Sequence, residues 1–188
     1  MRIVGGEFRG KKLQLPEDNR VRPTAERTRE ALFNILTHGS VYRTEKGPLP
    51  FQAKVLDIFA GTGALGIEAL SRGAAHVTFI DNHAGSLKLV RQNVAAINAQ
   101  QKTTLLNRDG KKPGKAGHPV DLVLMDPPYS EGLEQPSLHA LQEGGWLHEG
   151  TIIAVEQAVK EKLEIPDGFA ELDNRKYGAA RLVILKNT

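Results

Sequence analysis

The sequence predicts an α/β fold in which a mostly parallel sheet carries helices on both faces. From residue 54 onward, apolar runs of strand length alternate with stretches of helical periodicity, which is typical of βαβ units. A glycine-rich turn over residues 60–66 joins the first run to a helix, as in nucleotide-binding folds. Residues 168–174 and 180–186 can pair as a final hairpin around Tyr177-Gly178, which would add an antiparallel edge strand.

The composition restricts the classes of protein to which this chain can belong. Its 188 residues suit one domain, and the formal net charge of +3 permits a nucleic-acid partner without requiring one. The chain has no cysteine, which excludes disulfides, cysteine–zinc sites and thiol nucleophiles. We expect a cytoplasmic protein with no membrane contact, because no apolar run reaches the length of a membrane span or of a signal-peptide core.

Residues 1–15 predict a short β-hairpin with glycines at its bends. Its basic side chains, which include Arg9 and Lys11, face a single acid, Glu7. Two interpretations stay open. The hairpin is either a solvated edge, where lysine blocks unwanted strand pairing, or a basic flap that contacts phosphates.

Thr24 has the character of an N-cap, and the helix that it begins is predicted to run to about Leu36. The helical spacing places Arg29 on the polar face, opposite an apolar stripe. A stretch rich in glycine and proline follows this helix. We therefore divide the chain into an N-terminal appendage, residues 1–38, and a main body, residues 54–188.

The glycine-rich turn has the spacing Gly61-x-Gly63-x-x-Gly66, which fits the dinucleotide-binding pattern. Two features separate it from a phosphate-binding loop. Asp57 lies inside the preceding strand, where it would repel a pyrophosphate, and the turn lacks the lysine and Ser/Thr of a P-loop. Asp57 instead suits a ligand's ammonium group or a hydrogen bond that orders the turn.

Acids recur where the next two strands end. Asp81 follows the glycine-rich turn by about 20 residues, where a ribose-binding carboxylate belongs, although an N-cap for the next helix is the simpler alternative. Asp109 follows the third strand. Residues 110–119 then form a basic loop with Lys111 and Lys112, which is either solvated or in contact with RNA.

Asp126-Pro127-Pro128-Tyr129 closes the fourth strand, which is predicted to begin at Val120. Neither proline donates a backbone hydrogen bond, so the strand ladder has to stop there and a stiff turn follows. That turn presents one carboxylate, carbonyls without a ladder role and one aromatic face. Such a site suits a planar ring that bears an amine, although a tight loop with a capping Asp remains the simpler alternative.

Several motifs together resemble the class I methyltransferases that use S-adenosylmethionine, and more closely the RsmD family. That family methylates the N2 amine of one guanine in bacterial small-subunit ribosomal RNA. The matching stretches are Gly5-Gly6-x-x-x-Gly10-Lys11-Lys12-Leu13, Arg22-Pro23-Thr24, Arg27-x-x-Glu30-Ala31-Leu32-Phe33-Asn34-Ile35-Leu36, residues 56–66 and Asp126-Pro127-Pro128-Tyr129.

The resemblance implies a Rossmann-like fold with a seven-stranded sheet, an antiparallel C-terminal hairpin, and a small N-terminal β-hairpin and helix. It also implies three groups of site residues. S-adenosylmethionine would be bound by Asp57, Phe59, Ala60, Gly61, Thr62, Gly63, Asp81, Asn82, Asp109 and Thr24. The target base would be received by Asp126, Pro127, Pro128 and Tyr129. The RNA would be contacted by Arg9, Lys11, Arg22, Lys111 and Lys112, and no metal would take part.

The implied substrate is 16S ribosomal RNA within a small-subunit particle. The amine chemistry alone leaves a DNA adenine-N6 methyltransferase open, since an Asp-Pro-Pro-Tyr motif serves either amine. A protein of another class, a non-catalytic RNA-binding factor for ribosome assembly, is the third possibility. The motifs indicate neither the modified position nor an oligomeric state.

Overall fold

The computed structural model describes residues 1–16 and 26–188. Nine strands and four α-helices lie in these two ranges, and the first two strands form a separate two-stranded sheet. The strands are β1 Arg43–Thr44, β2 Gly47–Pro48, β3 Lys54–Ile58, β4 His76–Asp81, β5 Thr103–Asn107, β6 Val120–Met125, β7 Leu147–Ala158, β8 Phe169–Tyr177 and β9 Ala180–Asn187. The helices are α1 Glu26–His38, α2 Ala64–Ser71, α3 Ala84–Ala96 and α4 Glu134–Glu143.

The seven long strands form one sheet in the order β5-β4-β3-β6-β7-β9-β8. The first five are parallel, and β9 and β8 add an antiparallel hairpin. This arrangement confirms the predicted α/β class, the parallel sheet and the C-terminal hairpin. The strand order reverses between β3 and β6, and ligands of open α/β sheets bind at the carboxyl ends of strands at such a point.

Alternate residues of the strands belong to two buried hydrophobic clusters, one on each face of the sheet. Val55 of β3 packs with α1, α2 and α3 on the first face, whereas its neighbour Leu56 packs with α4 on the second. Asp57 therefore lies on the same side of β3 as Val55, towards α2. This side also receives Ile3 and Phe33, so the N-terminal appendage shares the core of the main body.

The N-terminal ribbon, residues 1–16, is pinned to the C-terminal end of α2. Arg2 and Lys12 form a single antiparallel bridge where the sequence predicts a hairpin. Ser71 holds the bend of the ribbon, because its hydroxyl donates to the Gly5 carbonyl at 2.6 Å and its own carbonyl accepts from the Glu7 N–H at 2.7 Å. Gly6 has φ +75°, and a Cβ there would come within 1.9 Å of the Ser71 carbonyl oxygen.

The prediction that Arg29 lies on the polar face of α1 is wrong, because its side chain is fully buried. Its Nε lies 3.5 Å from the equally buried Glu68 carboxylate of α2, and its Nη2 donates to the Arg2 carbonyl. Glu68 also accepts from the Val4 N–H at 2.9 Å and from Arg72 Nε at 2.8 Å. One carboxylate thus joins the ribbon, α1 and α2.

Within residues 1–16 and 26–188, none of the helices has the length and apolar character that crossing a membrane requires.

We predict that Glu68→Gln lowers the free energy of unfolding by about 3–5 kcal/mol, because it leaves two buried or half-buried guanidinium groups without their counter-charge. Urea unfolding measures the effect. Glu26→Gln is the matched control. It removes the carboxylate that pairs with Arg2 at an exposed position, so its cost should stay below about 1 kcal/mol. Equal losses in the two variants would contradict the central role of Glu68.

Candidate active site

Three neighbouring strands, β4, β3 and β6, end at one level of the sheet, and β7 passes through the same level two residues before it ends. The register pairs Ile58 of β3 with Ile80 of β4 and with Met125 of β6, and it pairs Met125 with Val155 of β7. The next residue of each strand therefore falls in one row, which runs Asp81, Phe59, Asp126 and Glu156. Three of these four residues were predicted as site residues, and the parallel ladder brings them side by side.

The glycine-rich turn leaves β3 through three residues in the left-handed conformation. Phe59 has φ 64°, Gly61 has φ 55° and Gly63 has φ 77°. A non-glycine residue with this φ costs about 1–3 kcal/mol and persists only where its surroundings enforce it. The Phe59 ring lies against Gly110 after β5, where an added Cβ would lie 2.4 Å from the ring. Phe59 thereby joins the turn to the loop that follows β5.

Asp57 and Asp81 order this turn from its two sides. Asp57 Oδ2 accepts from the Gly66 N–H at 2.8 Å, at the start of α2. Asp81 Oδ2 accepts from the Gly61 N–H at 2.9 Å, while Oδ1 accepts from the His83 N–H at 2.8 Å. Each carboxylate oxygen keeps a lone pair for a further donor. The N-cap alternative for Asp81 is wrong, because the N-cap of α3 is His83, whose Nδ1 accepts from the Ser86 N–H at 3.3 Å. The ribose contact of Asp81 remains a prediction.

The pKa of Asp57 is raised well above its usual 3.8. Burial is the largest cause, and the negative charges of Asp126 and Asp81 add to it, while the Gly66 N–H acts in the opposite direction. Three acids thus share one small region. A cation that enters this region gains favourable interactions with all three.

Asp126, Pro127, Pro128 and Tyr129 form the target loop, which ends at Ser130. Pro127 is buried, and the Tyr129 hydroxyl donates to Glu156 Oε1 at 3.2 Å. Ser130 has φ 65° and donates its N–H to Glu161 Oε1, while Glu161 Oε2 accepts from the Ala158 N–H at 2.9 Å. Two carboxylates at the end of β7 therefore hold the target loop from behind.

Glu156 and Glu161 were missed at the sequence level. Glu156 follows the apolar residues of β7, and its position opposite the target loop follows only from the pairing of β6 with β7. Glu161 lies in an irregular segment with no motif. One signal in the sequence indicates Glu156. It is an acid that follows an apolar strand run, just as Asp126 does in the neighbouring strand.

The remaining predicted residues lie around this row. Asn82 is exposed next to Asp81, and Asp109 Oδ1 accepts from the Lys111 N–H at 2.8 Å. The Lys111 ammonium is also 4.0 Å from Asp109 Oδ2, and Lys112 is exposed on the same loop. The ligand contacts predicted for these residues remain predictions.

The two predicted RNA contacts on the N-terminal ribbon differ in their surroundings. Arg9 is exposed, whereas the Lys11 ammonium donates to the Ala96 carbonyl at the end of α3 and lies 5.9 Å from the centre of the Phe8 ring. Thr24 and Arg22 lie outside the described residues. Among the residues that are described, no cluster of His, Asp or Glu side chains is arranged to hold a metal ion.

The fold is that of a Rossmann-like methyltransferase. The family described as Conserved hypothetical protein 95 matches residues 1–186. Ribosomal RNA small subunit methyltransferase D of Escherichia coli is 38% identical over 164 residues, which are 87% of this chain and 77% of that protein. The protein of the same name from Haemophilus influenzae is 30% identical over 192 residues, which are 100% of this chain and 94% of that protein.

A solved structure agrees with these relatives. The putative methyltransferase yhhF from Escherichia coli superposes with a TM-score of 0.81 at 31% sequence identity, and the match covers 100% of this chain and 97% of that one. The chain therefore belongs to the family of Conserved hypothetical protein 95, which is the RsmD family, and it is a methyltransferase.

We predict that the wild type exceeds Asp57→Asn in free energy of unfolding by the largest amount at low pH, and that this difference is lost as the pH rises. The unfolded carboxyl ionises near pH 3.8, whereas the folded one keeps its proton to a higher pH because its pKa is raised. Between these two pKa values, unfolding releases a proton, so the free energy of unfolding falls by up to about 1.4 kcal/mol per pH unit.

Urea unfolding of the wild type and of Asp57→Asn, from pH 4 upward, measures this difference. Asp167→Asn, on the exposed loop before β8, controls for the change in net charge. Parallel stability curves for the wild type and Asp57→Asn would show that the Asp57 pKa is not raised.

Proposed function

We propose that this protein transfers a methyl group from S-adenosylmethionine to the exocyclic N2 amine of a guanine in 16S ribosomal RNA, within a small-subunit particle in the cytoplasm. The observation that carries the proposal is the shared level of Asp81 and Asp126. A nucleoside-binding carboxylate and an amine-accepting loop flank one turn at the point where the strand order reverses. The family relationship supports the RNA substrate.

The residues of the turn suit S-adenosylmethionine better than a dinucleotide. Asp81 presents oxygens to ribose hydroxyls, and the left-handed Phe59-to-Gly63 backbone gives a ligand close access to main-chain groups. The acids around Asp57 favour a ligand with an ammonium group and a sulfonium, and they disfavour a pyrophosphate. When bound, S-adenosylmethionine supplies a methyl group that is already activated by its sulfonium leaving group.

The target loop supplies acceptors and a stacking surface for the base. The amine of guanine delocalises its lone pair into the ring, so it is a weak nucleophile. Hydrogen bonds from its N–H groups to Asp126 and to the Pro127 carbonyl direct the lone pair out of the ring plane and stabilise the positive charge that develops on nitrogen. Tyr129 stacks on the extruded base, which is worth about 1–3 kcal/mol.

The charges on either side of the target loop favour one direction of approach for the RNA. A cavity of about 320 Å³ on the β7 side of the loop is lined by three acids, Glu134, Glu161 and Glu164, together with a single lysine. Lys111 and Lys112 lie on the opposite side, after β5. Phosphates are repelled by the first side and attracted by the second, so we place the RNA backbone over the β5 side.

Methyl transfer from labelled S-adenosylmethionine tests the proposed function. The substrates are naked 16S RNA, partly assembled small-subunit particles and plasmid DNA, and each product is digested to nucleosides. We expect the label in N2-methylguanosine, with the particles as the better substrate. Label in N6-methyladenine from the plasmid would establish the DNA enzyme instead. Binding of the cofactor without transfer to any substrate would favour the non-catalytic assembly factor.

We predict that Asp126→Asn lowers the turnover number by about 10²–10³, because it replaces the negative charge that faces the developing positive charge with a neutral amide. Isothermal titration should show a much smaller change in the affinity for S-adenosylmethionine, because Asp57 and Asp81 remain. Glu131→Gln, an exposed acid five residues further along the chain, loses the same charge and should retain its turnover. A loss of cofactor binding in Asp126→Asn with normal turnover on saturating cofactor would refute the role of Asp126.

A further inference from the structure

Asn93 of α3 has a buried side-chain amide that makes three hydrogen bonds. Its Oδ1 accepts from the Gln14 N–H at 2.7 Å, and its Nδ2 donates to the Gln14 carbonyl at 3.2 Å. The same Nδ2 donates its second hydrogen to the Thr62 carbonyl at 3.1 Å. The side chain is 1% exposed, so water does not compete for these bonds. Both amide hydrogens and the oxygen are therefore used.

The two partners of Asn93 belong to different parts of the molecule. Thr62 lies between Gly61 and Gly63 in the glycine-rich turn, whose backbone defines the proposed cofactor site. Gln14 lies near the end of the N-terminal ribbon, and the chain continues from there into residues 17–25. Apart from these bonds, the ribbon contacts α2 through Ser71 and Glu68, at the other end of that helix from the turn.

We infer that Asn93 is a positioning residue that couples the end of the N-terminal ribbon to the cofactor-binding turn. The inference rests on the proposed function, because it takes the turn as the S-adenosylmethionine site. It extends that function by giving Gln14, near the end of the described ribbon, a fixed place relative to the turn.

Only an amide satisfies both partners at this position. A carboxylate accepts a hydrogen bond from the Gln14 N–H. It has no hydrogen to donate to the Gln14 and Thr62 carbonyls, so its oxygen would be repelled by both carbonyl oxygens. An apolar side chain of the same size leaves all three backbone groups without their partner in a buried place. Asn93 falls on the buried stripe of α3 with Val90 and Ile97, so the chain places a polar residue where helical packing alone favours an apolar one.

A comparison of Asn93→Ala with Val94→Ala distinguishes the loss of coupling between the ribbon and the turn from a general loss of stability. Val94 is the next residue of α3, is equally buried and packs in the core without a polar contact to the turn. Two quantities are measured for each variant and for the wild type. The first is the hydrogen-exchange rate of the Gln14 N–H and of the turn amides in ligand-free protein. The second is the affinity for S-adenosylhomocysteine by isothermal titration.

We expect Asn93→Ala to speed exchange at Gln14 and to weaken the affinity by about fivefold or more, whereas Val94→Ala lowers the Tm and leaves both local quantities unchanged. Asn93→Asp retains the Gln14 N–H acceptor. It should therefore keep slower exchange at Gln14 than Asn93→Ala while it also binds the ligand weakly.

Equal effects of Asn93→Ala and Val94→Ala on exchange and affinity would overturn the inference and leave Asn93 with a purely structural role. Wild-type protein that fails to bind S-adenosylhomocysteine would contradict the proposed function. The exchange data on ligand-free protein would still decide whether Asn93 couples the ribbon to the turn.

Discussion

The register of four parallel strands is the constraint on which the site depends. Backbone hydrogen bonds between β4, β3, β6 and β7 fix which residues leave the sheet at the same level, and a slip of one residue would turn every side chain to the other face. Because of this register, Asp81 and Asp126 lie on either side of Phe59. The proposed cofactor site and target site are therefore built by the same ladder and cannot move independently.

Buried acids hold the loops that emerge from this ladder. Asp57 orders the start of α2, Glu68 joins α2 to α1 and the N-terminal ribbon, and Glu156 holds Tyr129. Each accepts hydrogen bonds from the backbone or from another side chain, which offsets the cost of its burial. Hydrogen bonds thus hold the backbone where the cofactor and base are expected to lie, and catalysis by positioning requires such ordered groups.

Much of the fold follows from patterns that are local in the sequence. The alternation of apolar runs and helical stretches predicted the parallel sheet, and the terminal turn predicted the C-terminal hairpin. The strand-end acids could be placed near one another because the carboxyl ends of parallel strands meet at one edge. The full length of β7 does not follow from local pattern, because Leu147 gains its strand partner from β6, whereas Gln157 and Ala158 gain theirs from β9.

The rest depends on contacts between distant parts of the chain. Arg29 was assigned to the polar face of α1 because its preferred environment is water, and its burial follows from a counter-charge 39 residues further on. Asn93 carries no motif, and its significance lies in bonds to Gln14 and Thr62 that only the folded chain creates. The glycine turn and the target loop were recognisable because each encodes its geometry in consecutive residues.

A crystal structure of the protein with S-adenosylhomocysteine tests the central claim most directly. We expect the ribose hydroxyls to bind Asp81 and the sulfur to face the target loop across the glycine-rich turn. A ligand bound elsewhere, or one whose sulfur points away from Asp126, would contradict the claim that the strand register places methyl donor and target amine together.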